Sequence, residues 1–175
     1  EFVYHNINHT SRVVDSAQEI IDNSTLTNEQ IEVILVSAWF HDVGYIDGCE
    51  NHESNSQKYA EEFLKEQKAE DSFIEKVKSC IDATRIKSEP ESLQDKVIKD
   101  ADSSHLAADD FESTSELLRQ EWKLMEIKDY DPDEWIDVNI QMLSNIHQYY
   151  TNYTKENWQS KKQENLSELL KKKKK

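Results

Sequence analysis

Thr27-Asn28-Glu29-Gln30-Ile31-Glu32-Val33-Ile34-Leu35-Val36-Ser37-Ala38-Trp39-Phe40-His41-Asp42-Val43-Gly44 is the stretch on which the fold turns. Thr27 is a good N-cap, and Gln30 stands three residues on, as in a capping box. Ile31, Ile34, Leu35, Ala38 and Trp39 recur at helical spacing and define an apolar side. Gly44 predicts the end of the helix, because glycine accepts the backbone angles found at helix termini. The same 3.6-residue period appears upstream in Val13, Val14, Ala17, Ile20 and Ile21, with a break over Asn23 to Thr27.

Downstream, both glycines of the chain fall in a predicted loop over 43–52. A third helix is predicted over 53–66, with Tyr59, Ala60, Phe63 and Leu64, and a fourth over about 70–85. Ser88 to Ser92, with Pro90, reads as a break. A fifth helix starts near 93 and carries Val97, Ile98, Ala101, Leu106 and Ala107. Residues 113–127 look helical through Leu117, Leu118, Trp122 and Met125. Asp131-Pro132 opens another helix with Trp135, Ile136, Ile140, Leu143 and Ile146, since proline is tolerated in a first turn. The tail from 155 places Leu166, Leu169 and Leu170 ahead of Lys171 to Lys175. Two glycines and two prolines in 175 residues are too few for the many tight turns of a sheet protein. The expectation is an all-α, single-domain helical bundle of about seven or eight helices, spanning 1–175 without an internal repeat.

The formal net charge is −15, from 36 acidic and 21 basic side chains. Such a surface repels phosphate backbones, which argues against general nucleic-acid binding. It leaves room for a small phosphorylated substrate, because a bound divalent metal reverses the field locally. No apolar run approaches the ~18 residues of a membrane span. The terminal lysines have two readings: a solvated helix end stabilised by the helix dipole, or a basic stretch ahead of a membrane segment. The chain begins at Glu1 and not at Met, which leaves open a trimmed start and a lost signal peptide. Cys49 and Cys80 make no disulfide framework, and a cytoplasmic protein is the simplest expectation. Cys80 sits in a helical apolar pattern and is read as core, whereas Cys49 is read as a loop thiol. In that setting the glycosylation patterns at Asn8 and Asn23 have no consequence.

Six histidines occur, and four of them, His5, His9, His41 and His52, lie in the first 52 residues beside carboxylates. His5 and His9 are four positions apart, a spacing that shares one face if the segment is helical. His41-Asp42 ends the apolar helix, where ionisable groups are costly to bury without a partner. A divalent cation supplies that partner, since imidazole and carboxylate suit Zn, Mn, Fe, Ni or Mg in differing degree. Asp100-Ala101-Asp102 again follows an apolar stretch. On spacing alone, solvated helix charges and a metal site are equally good readings of these aspartates.

Three segments carry a family resemblance: Tyr4-His5-Asn6-Ile7-Asn8-His9-Thr10, Ala38-Trp39-Phe40-His41-Asp42-Val43-Gly44-Tyr45 and Lys99-Asp100-Ala101-Asp102. Together they resemble the HD superfamily of metal-dependent phosphohydrolases, whose pattern is a histidine, a His-Asp pair and a distant aspartate. The resemblance covers about residues 4–110, with 111–175 as accessory helices. It implies a helical bundle of the HD-domain type, with His9, His41, Asp42 and Asp102 as metal ligands and Asp42 at the catalytic centre. Asp100 is then a helper or a surface charge. The first segment is similar to the signature of cyclic-nucleotide phosphodiesterases, which implies His5 as the proton donor to the leaving oxygen; an ordering role is the alternative. By analogy with members that carry an extra histidine, His52 is read as a ligand of a second metal, with a surface position opening the third helix as the alternative. One or two divalent ions per chain are expected.

Two departures narrow the substrate. Guanosine tetraphosphate hydrolases of the superfamily carry Glu-Asp where this chain has Tyr45-Ile46, with Asp47 one step further. Ser103-Ser104-His105-Leu106 replaces the Asp-Arg-Leu of many members, and His105 is expected to be partly exposed. Arg85 and Arg119 are candidates for binding phosphate bidentately, with surface ion pairs as the alternative. The expected activity is hydrolysis of a phosphoester of a small molecule, a nucleotide or cyclic nucleotide. The alternative is a nucleotide-sensing HD regulatory domain with little or no turnover, and a homo-oligomer is left open. A metal-free interaction domain is the third reading, disfavoured by the clustering of candidate ligands.

Overall fold

The computed structural model describes residues 2–174, and Glu1 and Lys175 lie outside the described residues. The described residues form helices and turns without a strand, so the all-α expectation holds. Packing divides them into two compact units, one made of Ile7–Ser103 and the other of the residues on either side of it.

The Ile7–Ser103 unit holds α1 (Ile7–Asp22), α2 (Asn28–Phe40), α3 (His52–Glu66), α4 (Asp71–Ala83) and α5 (Leu93–Asp102), with a 3-10 turn at Val43–Asp47. Thr27 caps α2 through the capping box with Gln30 that the sequence predicts. Ser92 and Asp95 make another capping box on α5. α2 packs against α1, α4 and α5, and α1 against α5. Val13, Ile20, Val33, Ile34, Ile81 and Ile98 are among its buried side chains, each worth roughly 1.5–3 kcal/mol on burial.

The burial of α2 differs from the periodicity reading. Val33, Ile34, Ser37 and Ala38 are buried, while Trp39 is 47% exposed. With α1, α3, α4 and α5 around it, α2 is apolar on nearly every side, and a helix of that kind has no single face for the period to reveal. Cys80 is buried, as expected, with its thiol on Asp95 at 3.4 Å.

The other unit holds a 3-10 turn (Ser104–Ala107), α6 (Phe111–Leu124), α7 (Pro132–Gln141), a π-type turn (Met142–Ile146), α8 (Asn152–Asn157) and α9 (Gln159–Lys172). Its core joins Leu106, Phe111, Leu143 and Leu169, with Ile136, Ile140 and Leu166 against them. The fifth helix therefore stops five residues short of the predicted Ala107. Leu106 belongs to this second core and does not contribute to an α5 face. Ser103 is the C-cap, with its backbone N–H on the Lys99 carbonyl and its hydroxyl on the carbonyls of Lys99 and Asp100. α8 was not foreseen; it is six residues long and opens on the Thr151 cap. Lys171 and Lys172 sit in the last turn of α9, each on a glutamate at 2.6 Å. Among the described residues no helix is long and apolar enough to cross a membrane.

Candidate metal centre

Each candidate ligand of the Ile7–Ser103 unit sits at a helix end or in a first turn. His9 is in the first turn of α1, His41 caps the C-terminus of α2, Asp42 follows it, and Asp102 is the last residue of α5. Because α1, α2 and α5 pack on one another, these ends meet. His9 and His41 are buried, whereas the side chains of Asp42 and Asp102 are 11% and 29% exposed, so the cluster opens to solvent on its carboxylate side.

The donor atoms converge closely. His9 Nε2 lies 3.2 Å from His41 Nε2 and 3.2 Å from Asp42 Oδ2. His41 Nε2 lies 3.1 Å from that same carboxylate oxygen. Asp102 Oδ1 stands 3.3 Å from His9 Nε2 and 3.5 Å from His41 Nε2. His9, His41 and Asp42 each offer one donor atom within 4.8 Å of the others.

The tautomer of His41 follows from its neighbour. Its Nδ1 lies 2.9 Å from the Ala38 carbonyl, which can only accept, so Nδ1 carries the hydrogen. The neutral ring then presents a lone pair on Nε2, aimed at another imidazole and two carboxylates. Lone pairs so arranged repel unless a positive charge sits among them. Burial works against charge on both imidazoles. Contacts with Asp102 and Asp42 outweigh it, placing the His9 pKa above the ordinary imidazole value and that of His41 well above it. Burial likewise opposes ionisation of Asp102, and its contacts with His41 and His9 prevail, holding the carboxyl below the usual range. Protons and a divalent ion are thus competitors for one charge deficit. The residues fit a metal: donors around an ion with bonds of about 2.0–2.2 Å stand roughly 2.8–3.6 Å apart, depending on the coordination angle, and the five separations here span 3.1–3.5 Å.

His52 opens α3 beside the same aspartate. Its Nδ1 donates to the Cys49 carbonyl at 3.1 Å, so its lone pair also lies on Nε2. That atom is 3.8 Å from Asp42 Oδ1 and 3.5 Å from Glu53 Oε1. Asp42 therefore shows one oxygen to His9 and His41 and the other to His52. Tyr45 stacks on the His52 ring, with centroids 4.1 Å apart. Glu53 is the residue sequence reasoning missed here, although its position next to His52 was the available signal. Its other oxygen holds Arg85 at 2.9 Å, and Arg85 also reaches Ser54 and Asp82. Arg85 is thus tied to these neighbours, and Arg119 is paired with Glu116.

His5 is placed differently from the spacing argument. It precedes α1, which begins at Ile7, so the helical four-residue step does not join it to His9. Within its own unit it is held by Glu121, a buried carboxylate of α6 that the sequence did not reveal. His105, in the same unit, is part-exposed, with Nδ1 3.2 Å from the Tyr4 hydroxyl. Asp100 is buried, which removes the surface-charge reading for it.

No curated protein and no solved structure gives a significant match to this chain. A family model described as HD-CE does match, over residues 1–169. A His-His-Asp cluster able to hold a metal ion accords with an HD-type domain, and the chain belongs to the HD-CE family.

Proposed function

We propose that the protein is a metal-dependent phosphohydrolase acting on a phosphoester of a small molecule, a nucleotide or cyclic nucleotide. The observation that carries this reading is the convergence of two buried imidazole nitrogens and two carboxylates within 3.1–3.5 Å. A divalent ion held by His9, His41, Asp42 and Asp102 supplies charge neutralisation to phosphoryl oxygens and lowers the pKa of an attacking water. The ion is of the Mn, Fe, Ni, Zn or Mg type. A second one fits the Asp42–His52 edge, making one or two per chain. The chain's own share is to hold the two imidazoles buried, that of His41 as its Nδ1–H tautomer, and to leave the carboxylate side open to substrate. His5 is the proton donor to the leaving oxygen in this reading, resting on the resemblance of its segment to cyclic-nucleotide phosphodiesterases.

Protein purified without chelator is expected to carry one or two transition-metal ions per chain by elemental analysis. Less than about a tenth of an ion, with no gain on adding Mn or Ni, removes the metal reading. With metal bound, hydrolysis of a panel of nucleotides and cyclic nucleotides is expected, lost with chelator and restored by Mn. A sensing domain with little turnover is the second reading, favoured by Tyr45-Ile46 in place of the acidic pair. Full metal without turnover selects it.

Asp102→Asn keeps the shape of the side chain and removes one negative charge from the cluster. Metal bound only by the folded state raises the melting temperature. That rise is expected to shrink strongly in Asp102→Asn, with turnover abolished and helical content nearly unchanged. In Asp100→Asn the metal-dependent rise should persist, whatever the replacement of a buried carboxylate does to the metal-free protein. Melting curves with and without Mn decide it, and equal rises in the parent and both variants take Asp102 out of the site.

A further inference from the structure

Glu121 is 1% exposed, on α6, and 116 positions along the chain from His5. A carboxylate so buried requires strong compensation, and it finds all of it in two consecutive residues. Its Oε2 accepts the backbone N–H groups of Tyr4 at 2.7 Å and of His5 at 3.0 Å. Its Oε1 is closely paired with His5 Nδ1. Burial works to raise the carboxyl pKa, but the His5 ring and the two N–H donors outweigh it and hold it below the ordinary value. An ionised carboxylate only accepts, so the hydrogen of this pair lies on Nδ1. A ring that donates from Nδ1 keeps its lone pair, or its exchangeable proton, on Nε2. Tyr4, edge-on to His5 at 4.7 Å between centroids, packs beside the same ring. One carboxylate therefore fixes both the backbone and the imidazole of a single residue.

We propose that Glu121 is the positioning residue for His5, locking its imidazole as the Nδ1–H tautomer so that Nε2 is the atom that exchanges protons. The role in catalysis rests on the reading of His5 as proton donor. The tautomer itself does not, which lets the two be tested apart. The work of Glu121 goes beyond anchoring the chain, because an anchor needs only the two backbone bonds.

The first arm is nitrogen-15 NMR of the histidine rings in the metal-loaded parent protein of 175 residues. His5 should be protonated on Nδ1 when neutral; an Nε2–H tautomer, or fast averaging of the two, overturns the proposal. The second arm is kinetic. Glu121→Gln leaves one acceptor oxygen for three donors, and kcat should fall by about 10–100-fold, the size seen when a ring-orienting partner is removed. KM should stay within about twofold, because substrate contacts are untouched. In a His5→Ala background the same change should cost nothing further, since there is no ring left to position. An equal fall in both backgrounds overturns the proposal, as it assigns Glu121 to structure alone. If the parent turns nothing over, the phosphohydrolase reading fails and the NMR arm still decides the tautomer.

Discussion

His41→Ala is expected to yield a folded protein that no longer retains its metal, with turnover down by about 10³-fold or more. A metal acting as Lewis acid contributes several kcal/mol to phosphoryl chemistry, and each 1.36 kcal/mol is about tenfold in rate. His41 is fully buried and touches every other member of the cluster: His9 at 3.2 Å, Asp42 at 3.1 Å and Asp102 at 3.5 Å. Alanine removes the donor nitrogen and leaves two carboxylates facing one imidazole. Loss of even an outer partner of a ligand typically costs 10–100-fold in metal affinity, so loss of the ligand itself should cost more. Elemental analysis, turnover with excess Mn and circular dichroism are read together. Parent-like metal content and rate in a protein of native helicity would falsify the placing of His41 at the centre.

Gly44→Ala should be the most destabilising single-methyl change in the Ile7–Ser103 unit, costing roughly 4 kcal/mol or more, a range reserved for severe packing faults. A Cβ at Gly44 meets the His52 carbonyl oxygen at 2.0 Å, the Ser56 backbone nitrogen at 2.6 Å and the Asn55 Cβ at 2.8 Å. Two of those atoms are backbone in the first turns of α3, which cannot yield without moving the whole helix end. The Gly44 N–H also donates to the buried Ser56 hydroxyl at 2.9 Å, a bond lost in any such shift. Moving the start of α3 also moves His52 away from Asp42, so metal binding at that edge should weaken with stability. Gly48→Ala is the contrast: its φ of +113° strains any L side chain, but nothing lies within 4 Å. There the cost is backbone strain alone, about 1–3 kcal/mol. Urea unfolding of the three proteins ranks them, and a Gly44→Ala protein as stable as Gly48→Ala refutes the close approach of α3 to the His41–Gly44 turn.

What the sequence determined by itself was whatever three- and four-residue spacing encodes. The Thr27 and Gln30 capping box starts α2 where expected, and Asp131-Pro132 opens α7 with Asp131 as its cap. The break at 88–92 and the helix from 93 were readable for the same reason: caps and turn residues act on their own neighbours. The candidate quartet was read from the resemblance of three segments to the HD superfamily; on spacing alone its aspartates read equally well as solvated charges.

Tertiary structure alone decided the rest. The buried side of α2 was set by its four packing partners and not by its own period. Leu106 went to the core of Phe111, Leu143 and Leu169, a pairing that no local spacing encodes. Glu121 meets His5 across 116 positions of chain, and Glu53 meets Arg85 across 32. Periodicity records which face of a helix is apolar; it carries no information about which distant polar atom that face brings within hydrogen-bonding reach. Such pairings arise only when burial forces each polar group to find a partner in the packed chain.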